Sequence, residues 1–268
     1  MIEPPFVFGE ARLHVVADGG GPTMLFQHGL CGDALQTADV FPREAGYRCV
    51  TIEMPGHGAS TLGAPDNLSL ANFTEACARW IETRETAPII VGGISMGAAI
   101  ALRLAATRPE LVRGLVLARP AWLFDAAPAN LAIYAHVGDL LAHHSPDEAR
   151  ATFLKSALAA RLARMAPDNL ATLEALFTRI PIENTRELLQ RIPSDGPDID
   201  RAAVTRIKAP TLTLGCQRDE AHPIAYARAL AEAIPGARFV EIAPKSDDKE
   251  RYRVDFARAL AQFLKEFP

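Results

Sequence analysis

Gly93-Ile94-Ser95-Met96-Gly97 is the stretch in which residue type and spacing most plainly allow chemistry. The short apolar run Ile89-Ile90-Val91 precedes it, and the small-residue helix pattern AAIALRLAAT, residues 98–107, follows. A strand that reverses sharply into a helix leaves no room for side chains beside the apex, hence the two flanking glycines. Ser95 at that apex presents its hydroxyl outward, as a nucleophile must. The backbone N–H of Met96 opens the helix and points at whatever the serine attacks. A serine hydroxyl does not ionise unaided, so this chemistry also needs a base to take its proton.

The elements around this turn alternate. Residues 6–8 and 13–17 read as a small antiparallel hairpin turned at Gly9-Glu10. A strand over 23–27 (TMLFQ) runs into His28-Gly29-Leu30-Cys31-Gly32. A helix over 35–44 follows, then a strand over 49–53 ending in Met54-Pro55-Gly56-His57-Gly58-Ala59-Ser60. Ser69 caps a helix that reaches residue 84, with Phe73, Cys77, Trp80 and Ile81 on one stripe. After the serine turn comes a strand over 114–118, ending at Arg119-Pro120. Alternation of this kind predicts a parallel sheet covered by helices on both faces. From residue 122 to 206 the strand signals stop, and helices are expected over 130–143, 145–162, 168–179 and 182–191. A strand over 211–214, a helix over 223–234, a strand over 238–242 and a helix over 249–267 complete the chain. The division expected is a core of 1–121 and 207–268 with a helical lid of 122–206.

Composition narrows the function classes. The chain has 268 residues, 49% of them apolar, enough for one large domain with an insertion. A net charge of −4 excludes a basic field for nucleic acid. Cys31, Cys49, Cys77 and Cys216 are scattered without metal-ligand spacing and read as cytoplasmic thiols. The acidic, Pro-containing start MIEPPFVFGE is not a signal peptide, and no apolar run approaches 18 residues. A small-molecule substrate is expected, without membrane, metal or cofactor. Oligomeric state is unreadable.

Four motifs in order resemble those of the α/β-hydrolase superfamily, over nearly the whole chain. They are His28-Gly29, the Pro55-Gly56-His57-Gly58-Ala59-Ser60 stretch, the Ser95 turn, and 209–215 followed by Asp219 and Pro223. The resemblance implies a mostly parallel eight-stranded sheet with a helical lid after the sixth strand. It makes Ser95 the nucleophile, Asp219 the acid that orients the base, and the N–H groups of Leu30 and Met96 the oxyanion donors. The implied activity is cleavage of a small ester, amide, thioester or C–C bond.

The family sets its histidine in the loop after the last strand, and here that loop, 243–248, reads Ala-Pro-Lys-Ser-Asp-Asp. The histidines are His14, His28, His57, His136, His143, His144 and His222. His222 leads the candidate bases, because it shares one loop with Asp219 at the end of the seventh strand. The lid pair His143-His144 and a desolvated Lys245 follow. Asp247, with Ser246, stands where the family's histidine would, but an ordinary carboxylate is a poor base toward serine. The alternative is a protein of this fold without ordinary triad catalysis, either a ligand-binding module or a non-hydrolytic catalyst. His28 is expected to shape the oxyanion loop and His57 its own turn, and His14 reads as a strand residue on the far side. Arg119 ends a strand at the edge where open α/β sheets bind ligands. It needs an anion: Glu53, Asp125, Asp219 or a substrate carboxylate. With His28 and Lys245 it forms the expected substrate-contacting set, suited to an acidic ligand.

Overall fold

The computed structural model describes residues 3–267. In chain order the elements begin β1 (Phe6–Phe8), β2 (Ala11–Leu13), β3 (Val15–Asp18), β4 (Thr23–Gln27), α1 (Ala34–Ala38) and β5 (Arg48–Ile52). Then come α2 (Leu70–Arg84), β6 (Ile89–Ile94), α3 (Met96–Thr107) and β7 (Val112–Ala118). Five helices and a short sixth follow: α4 (Ala132–His143), α5 (Pro146–Leu154), α6 (Ala157–Met165), α7 (Pro167–Ala175), α8 (Ile182–Arg191) and α9 (Arg201–Val204). The chain ends with β8 (Thr211–Gly215), α10 (Ile224–Ala233), β9 (Arg238–Glu241) and α11 (Lys249–Leu264).

The main sheet runs β3-β5-β4-β6-β7-β8-β9, with only the β3–β5 pair antiparallel. It has seven strands, not the expected eight, because the N-terminal hairpin pairs as a separate two-stranded sheet of β1 and β2. His14 is where the chain leaves that hairpin. Its N–H donates to Ser60 Oγ at 2.8 Å, and its Nδ1 lies 2.8 Å from Glu53 Oε2. It is therefore a corner residue tied to the loop after β5, and the following segment swings over to pair with β5.

Side chains alternate across the sheet, as the period of two requires. Leu25, Val91, Leu115 and Leu117 face a core built with α2 and α3, including Phe73, Trp80 and Leu104. Met24, Phe26, Ile90 and Val116 face α11 through Phe256, Leu260 and Phe263. The central strands are buried along their length, which explains their unbroken apolar runs.

Caps set several boundaries. Ser69 accepts from Asn72 N–H and starts α2. Ser145 and Glu148 form a reciprocal capping box at α5. The helix expected over 145–162 is two helices, because Ser156 turns extended and its side chain accepts from Ala159 N–H, starting α6 anew. Among the described residues, the span between β7 and β8 contains helices and loops and no strand. No helix of the described residues is long and apolar enough to cross a membrane.

Candidate active site

Ser95 stands between β6 and α3 with φ 58° and ψ −111°, a conformation sparsely populated by residues with a side chain. The flanking glycines are sterically required. A Cβ on Gly93 would lie 2.4 Å from the Gly97 carbonyl carbon, and one on Gly97 would lie 2.3 Å from the Gln27 carbonyl oxygen. The turn thus packs against its own helix and against the end of β4 at backbone contact. Ser95 N–H donates to Ala118 O at 3.0 Å, tying the apex to β7.

The loop after β4 closes over the same point. A Cβ on Gly29 would sit 3.3 Å from Ser95 Cβ. The Gly29 N–H donates to Gln36 Oε1 at 2.6 Å, and Gly32 N–H donates to Gly29 O at 2.9 Å. Met96 is the first residue of α3, so its N–H has no intrahelical acceptor. Leu30 N–H likewise meets no acceptor among the described residues. Glu53, at the end of β5, braces the neighbourhood by accepting from the N–H groups of Ala34 at 3.1 Å and Ala59 at 2.7 Å.

The loop after β8 supplies the other two groups. His222 Nε2 lies 2.8 Å from Ser95 Oγ, and His222 Nδ1 lies 2.8 Å from Asp219 Oδ1. An anionic Asp219 makes Nδ1 the protonated nitrogen, which leaves Nε2 to accept the serine proton. The His222 N–H also donates to Asp219 Oδ1 at 3.2 Å, so the carboxylate and the imidazole are fixed within one turn. Both are buried, with His222 at 6% and Asp219 at 9% exposure.

Arg119 serves this pair rather than a ligand. It follows β7 with φ 45°, and its Nε donates to Asp219 Oδ2 at 2.7 Å. Its Nη2 lies 3.9 Å from Asp168 Oδ2 and its Nη1 donates to Tyr252 Oη at 3.4 Å. Nη2 is also 3.3 Å from His222 Nδ1. Both nitrogens carry protons, so that approach is a contact between two donors. The expectation that Arg119 binds a substrate anion is therefore corrected: protein carboxylates surround its charge, as a buried guanidinium requires. Burial by itself would raise the Asp219 pKa, but Arg119 and His222 outweigh it and hold the carboxyl far below its usual range. Burial pushes the His222 pKa below its ordinary value, with Asp219 opposing and Arg119 assisting. The imidazole is thus neutral near pH 7.

Lys245 and His28 are corrected as well. Lys245 Nζ pairs with Asp168 Oδ1 at 3.2 Å, so neither a free cation nor a desolvated base stands there. His28 is fully buried. Its Nδ1 donates to Gly29 O at 2.8 Å and its Nε2 accepts from Met54 N–H at 3.0 Å, leaving no ring nitrogen for a substrate. It shapes the Gly29 loop. His57 packs against it at 4.7 Å between ring centroids, and burial holds both rings below the ordinary histidine pKa. His143 and His144 are exposed. Asp247 pairs with Arg218, and Ser246 Oγ accepts from Asp168 N–H at 3.4 Å and donates to Arg218 O at 3.3 Å. The loop after β9 thus seats the start of α7 where a histidine was expected.

Sequence reasoning missed Asn169, which is 3% exposed and donates through Nδ2 to Asp219 Oδ1 at 3.0 Å. The only sequence signal was a polar pair, Asp168-Asn169, after Pro167, and it reads equally well as an ordinary helix start. It also missed Tyr134 of α4, a buried ring near Asp219 and Arg119 whose hydroxyl is pushed by burial above the usual tyrosine pKa range. Asn130, one turn earlier, docks this helix by donating to Ala121 O and Ala221 O at 3.0 and 2.6 Å.

A family model described as the alpha/beta hydrolase fold matches residues 22–247. The chain belongs to this family. A Mycobacterium tuberculosis protein carrying the provisional name non-heme bromoperoxidase BpoC is 31% identical over 206 residues, covering 74% of this chain and 75% of that protein. Its crystal structure superposes with a TM-score of 0.67 over 94% of this chain and 96% of that one, at 26% identity. The pyrrolizixenacetamide deacetylase of Xenorhabdus hominickii is 25% identical and covers 87% of each chain. The enol-lactonase of Burkholderia xenovorans shares the fold, with a TM-score of 0.71 over 98% of this chain and all of that one, at 23% identity.

Proposed function

We propose that this α/β-hydrolase-fold protein cleaves a small acyl compound through Ser95, with His222 as base and Asp219 as the orienting acid. The observation that carries the reading is the 2.8 Å contact between His222 Nε2 and Ser95 Oγ, continued at 2.8 Å to Asp219. Such a relay needs only geometry and a neutral imidazole, so a base displaced into the acid loop serves as well as one after the last strand. As Oγ attacks the acyl carbon, its proton passes to Nε2, and Asp219 stabilises the resulting imidazolium. The oxyanion forms beside the N–H groups of Met96 and Leu30. The imidazolium then protonates the leaving group, and water, deprotonated by His222, releases the acid and restores Ser95.

Relatives named a deacetylase and, provisionally, a carbamate hydrolase favour esters, amides or carbamates over a C–C substrate. In this reading 122–206 form the cap over a core of 1–121 and 207–268. The partnered charges of Arg119 and Lys245 give no support to a specifically anionic substrate.

The test compares wild type, Ser95→Ala and His222→Ala for labelling by a fluorophosphonate and for hydrolysis of a panel of short aryl esters and anilides. Wild type is expected to label at Ser95. Ser95→Ala should not label at all, and His222→Ala should turn over roughly 10²- to 10⁴-fold more slowly. Full activity in His222→Ala would overturn the assignment of the base. An unlabelled wild type, inert on every substrate, would overturn the hydrolytic reading and leave a binding protein of this fold.

A further inference from the structure

If Ser95, His222 and Asp219 work together as proposed, their geometry depends on the turn Asp219-Glu220-Ala221-His222, because acid and base are its two ends. Arg119 reaches Asp219, Arg161 reaches Glu220 and Asn130 reaches Ala221 O, but one further side chain from outside bonds both the acid and the N–H groups of the turn. Asn169, in the first turn of α7, accepts with Oδ1 from Glu220 N–H at 2.6 Å and from Ala221 N–H at 3.1 Å. These are the two residues between acid and base. Its Nδ2 donates to Asp219 Oδ1 at 3.0 Å, the same oxygen that receives His222 Nδ1–H. Three of the four hydrogen-bonding positions of one amide thus converge on the turn. Asn169 is 3% exposed, on a helix that reaches this loop from the segment between β7 and β8.

We infer that Asn169 is a positioning residue, which keeps the Asp219–His222 pair aligned with Ser95 only while α7 is docked on the core. This inference rests on the proposed function and extends it, since it makes the seating of a helix remote in sequence a condition for a competent base. A neutral amide suits the place. It donates to Asp219 without adding a positive charge beside Arg119, and its oxygen accepts from two N–H groups of the turn. Simple anchoring of α6 and α7 is supplied by other groups. Arg161 pairs with Glu220 at 2.5 Å, Lys245 pairs with Asp168 at 3.2 Å, and Arg218 Nη2 donates to Arg164 O at 3.1 Å. Asn169 differs from these in touching Asp219 itself.

The test uses the full-length protein with Asn169→Ala, Asn169→Asp and, as an anchoring control, Arg161→Ala. The first readout is the second-order rate of Ser95 phosphonylation by a fluorophosphonate as a function of pH. The second is the downfield proton resonance of His222 Nδ1–H, which reports its bond to Asp219 whether or not the protein is active. Asn169→Ala should phosphonylate roughly 10- to 100-fold more slowly, since small misplacements at a reacting centre cost that much. Its His222 resonance should shift or broaden, while Arg161→Ala stays within about twofold of wild type.

Asn169→Asp keeps an acceptor for both N–H groups but loses the donor and sets a second carboxylate beside Asp219. The other charged or titratable groups around the pair are Arg119 after β7, Asp168 on α7 with its partner Lys245, Tyr134 on α4, Cys216 after β8 and Tyr252 on α11. All are retained in this variant. Its acid limb should therefore move to higher pH than that of wild type, which reports that residue 169 sits against the pair. Should Asn169→Ala fail to fold, Asn169→Asp is compared with wild type, and a wild-type phosphonylation rate with an unmoved His222 resonance in it overturns the inference. An unmoved resonance with a wild-type phosphonylation rate in Asn169→Ala overturns the inference and leaves the proposed function standing. An equal loss in Arg161→Ala also overturns it, by reducing Asn169 to an anchor. If wild-type Ser95 does not label, the proposed function falls, and the resonance still decides whether Asn169 orders the turn.

Discussion

Replacing Arg119 by methionine removes a charge from the site and keeps an unbranched chain that ends where Nε stood. Arg119 Nη2 lies 3.3 Å from His222 Nδ1, and a full charge at that distance with an effective dielectric near 20 is worth about 5 kcal/mol. The guanidinium spreads its charge over three nitrogens, and Nε faces Asp219 rather than the ring. The part that opposes protonation of His222 is then about 1.5–3 kcal/mol, or roughly 1–2 pH units. A nearby cation disfavours the imidazolium, so its removal raises the His222 pKa. The acid limb of Ser95 phosphonylation, which reports the base in the free protein, should move up by that amount. Arg119→Lys keeps the charge and should leave the limb near its wild-type position, although its single ammonium cannot reproduce the bond from Nε to Asp219. Methionine also leaves Asp219 buried without its cation. Loss of one partner of a buried pair costs about 3–5 kcal/mol, softened here by the Asn169 and His222 donors, so melting temperature must be recorded beside the rate. A folded Arg119→Met protein with an unmoved acid limb would refute the view that Arg119 adds to burial in keeping His222 neutral.

Two further outcomes are expected. His28, His57 and His222 are buried and held below the usual histidine pKa, each by desolvation first, so the unfolded chain binds more protons than the folded one as pH falls below about 6.5. Stability should fall on acidification by up to about 1.4 kcal/mol per pH unit for each ring, which urea midpoints between pH 7 and 5 will show, and His57→Phe should flatten the slope; a pH-independent midpoint would count against the buried neutral rings. Gly97→Ala places a Cβ 2.3 Å from the Gln27 carbonyl oxygen, a backbone atom that cannot swing aside. It should lower the melting temperature by several degrees and abolish Ser95 labelling, and a variant that labels at the wild-type rate would show that the turn is less constrained than its geometry indicates.

Much of the fold was legible because its signals are local. The glycines at 93 and 97 announce a turn whose clearance only they allow, and the continuous apolar runs of β6 and β7 match their burial on both faces of the sheet. Ser69 and the Ser145–Glu148 box begin helices where their cap chemistry says they should. The break at Ser156 and the departure of the first hairpin from the main sheet were not legible in the same way. Each turns on a competition between two local bonding patterns that only packing against the rest of the chain resolves. Five residues were enough to put Ser95 forward as a candidate, and a shared loop was enough to expect Asp219 and His222 beside each other.

The sequence by itself determined which chemistries were available: a hydroxyl on a strained turn, a carboxylate and an imidazole three residues apart, and an arginine at a strand end. Tertiary structure alone decided which of these groups meet. It brought His222 within 2.8 Å of Ser95 across 127 residues, turned Arg119 toward Asp219 and away from solvent, and used both nitrogens of His28 on backbone groups. It also inserted Asn169 from α7 between the acid and its loop. The physical reason is that hydrogen bonds and ion pairs act over about 3 Å, whereas Ser95 and His222, Arg119 and Asp219, and Asn169 and Asp219 lie 50 to 127 residues apart along the chain. Spacing can propose such a meeting, but only the packing of the sheet and the helices above it carries the groups the last few ångströms.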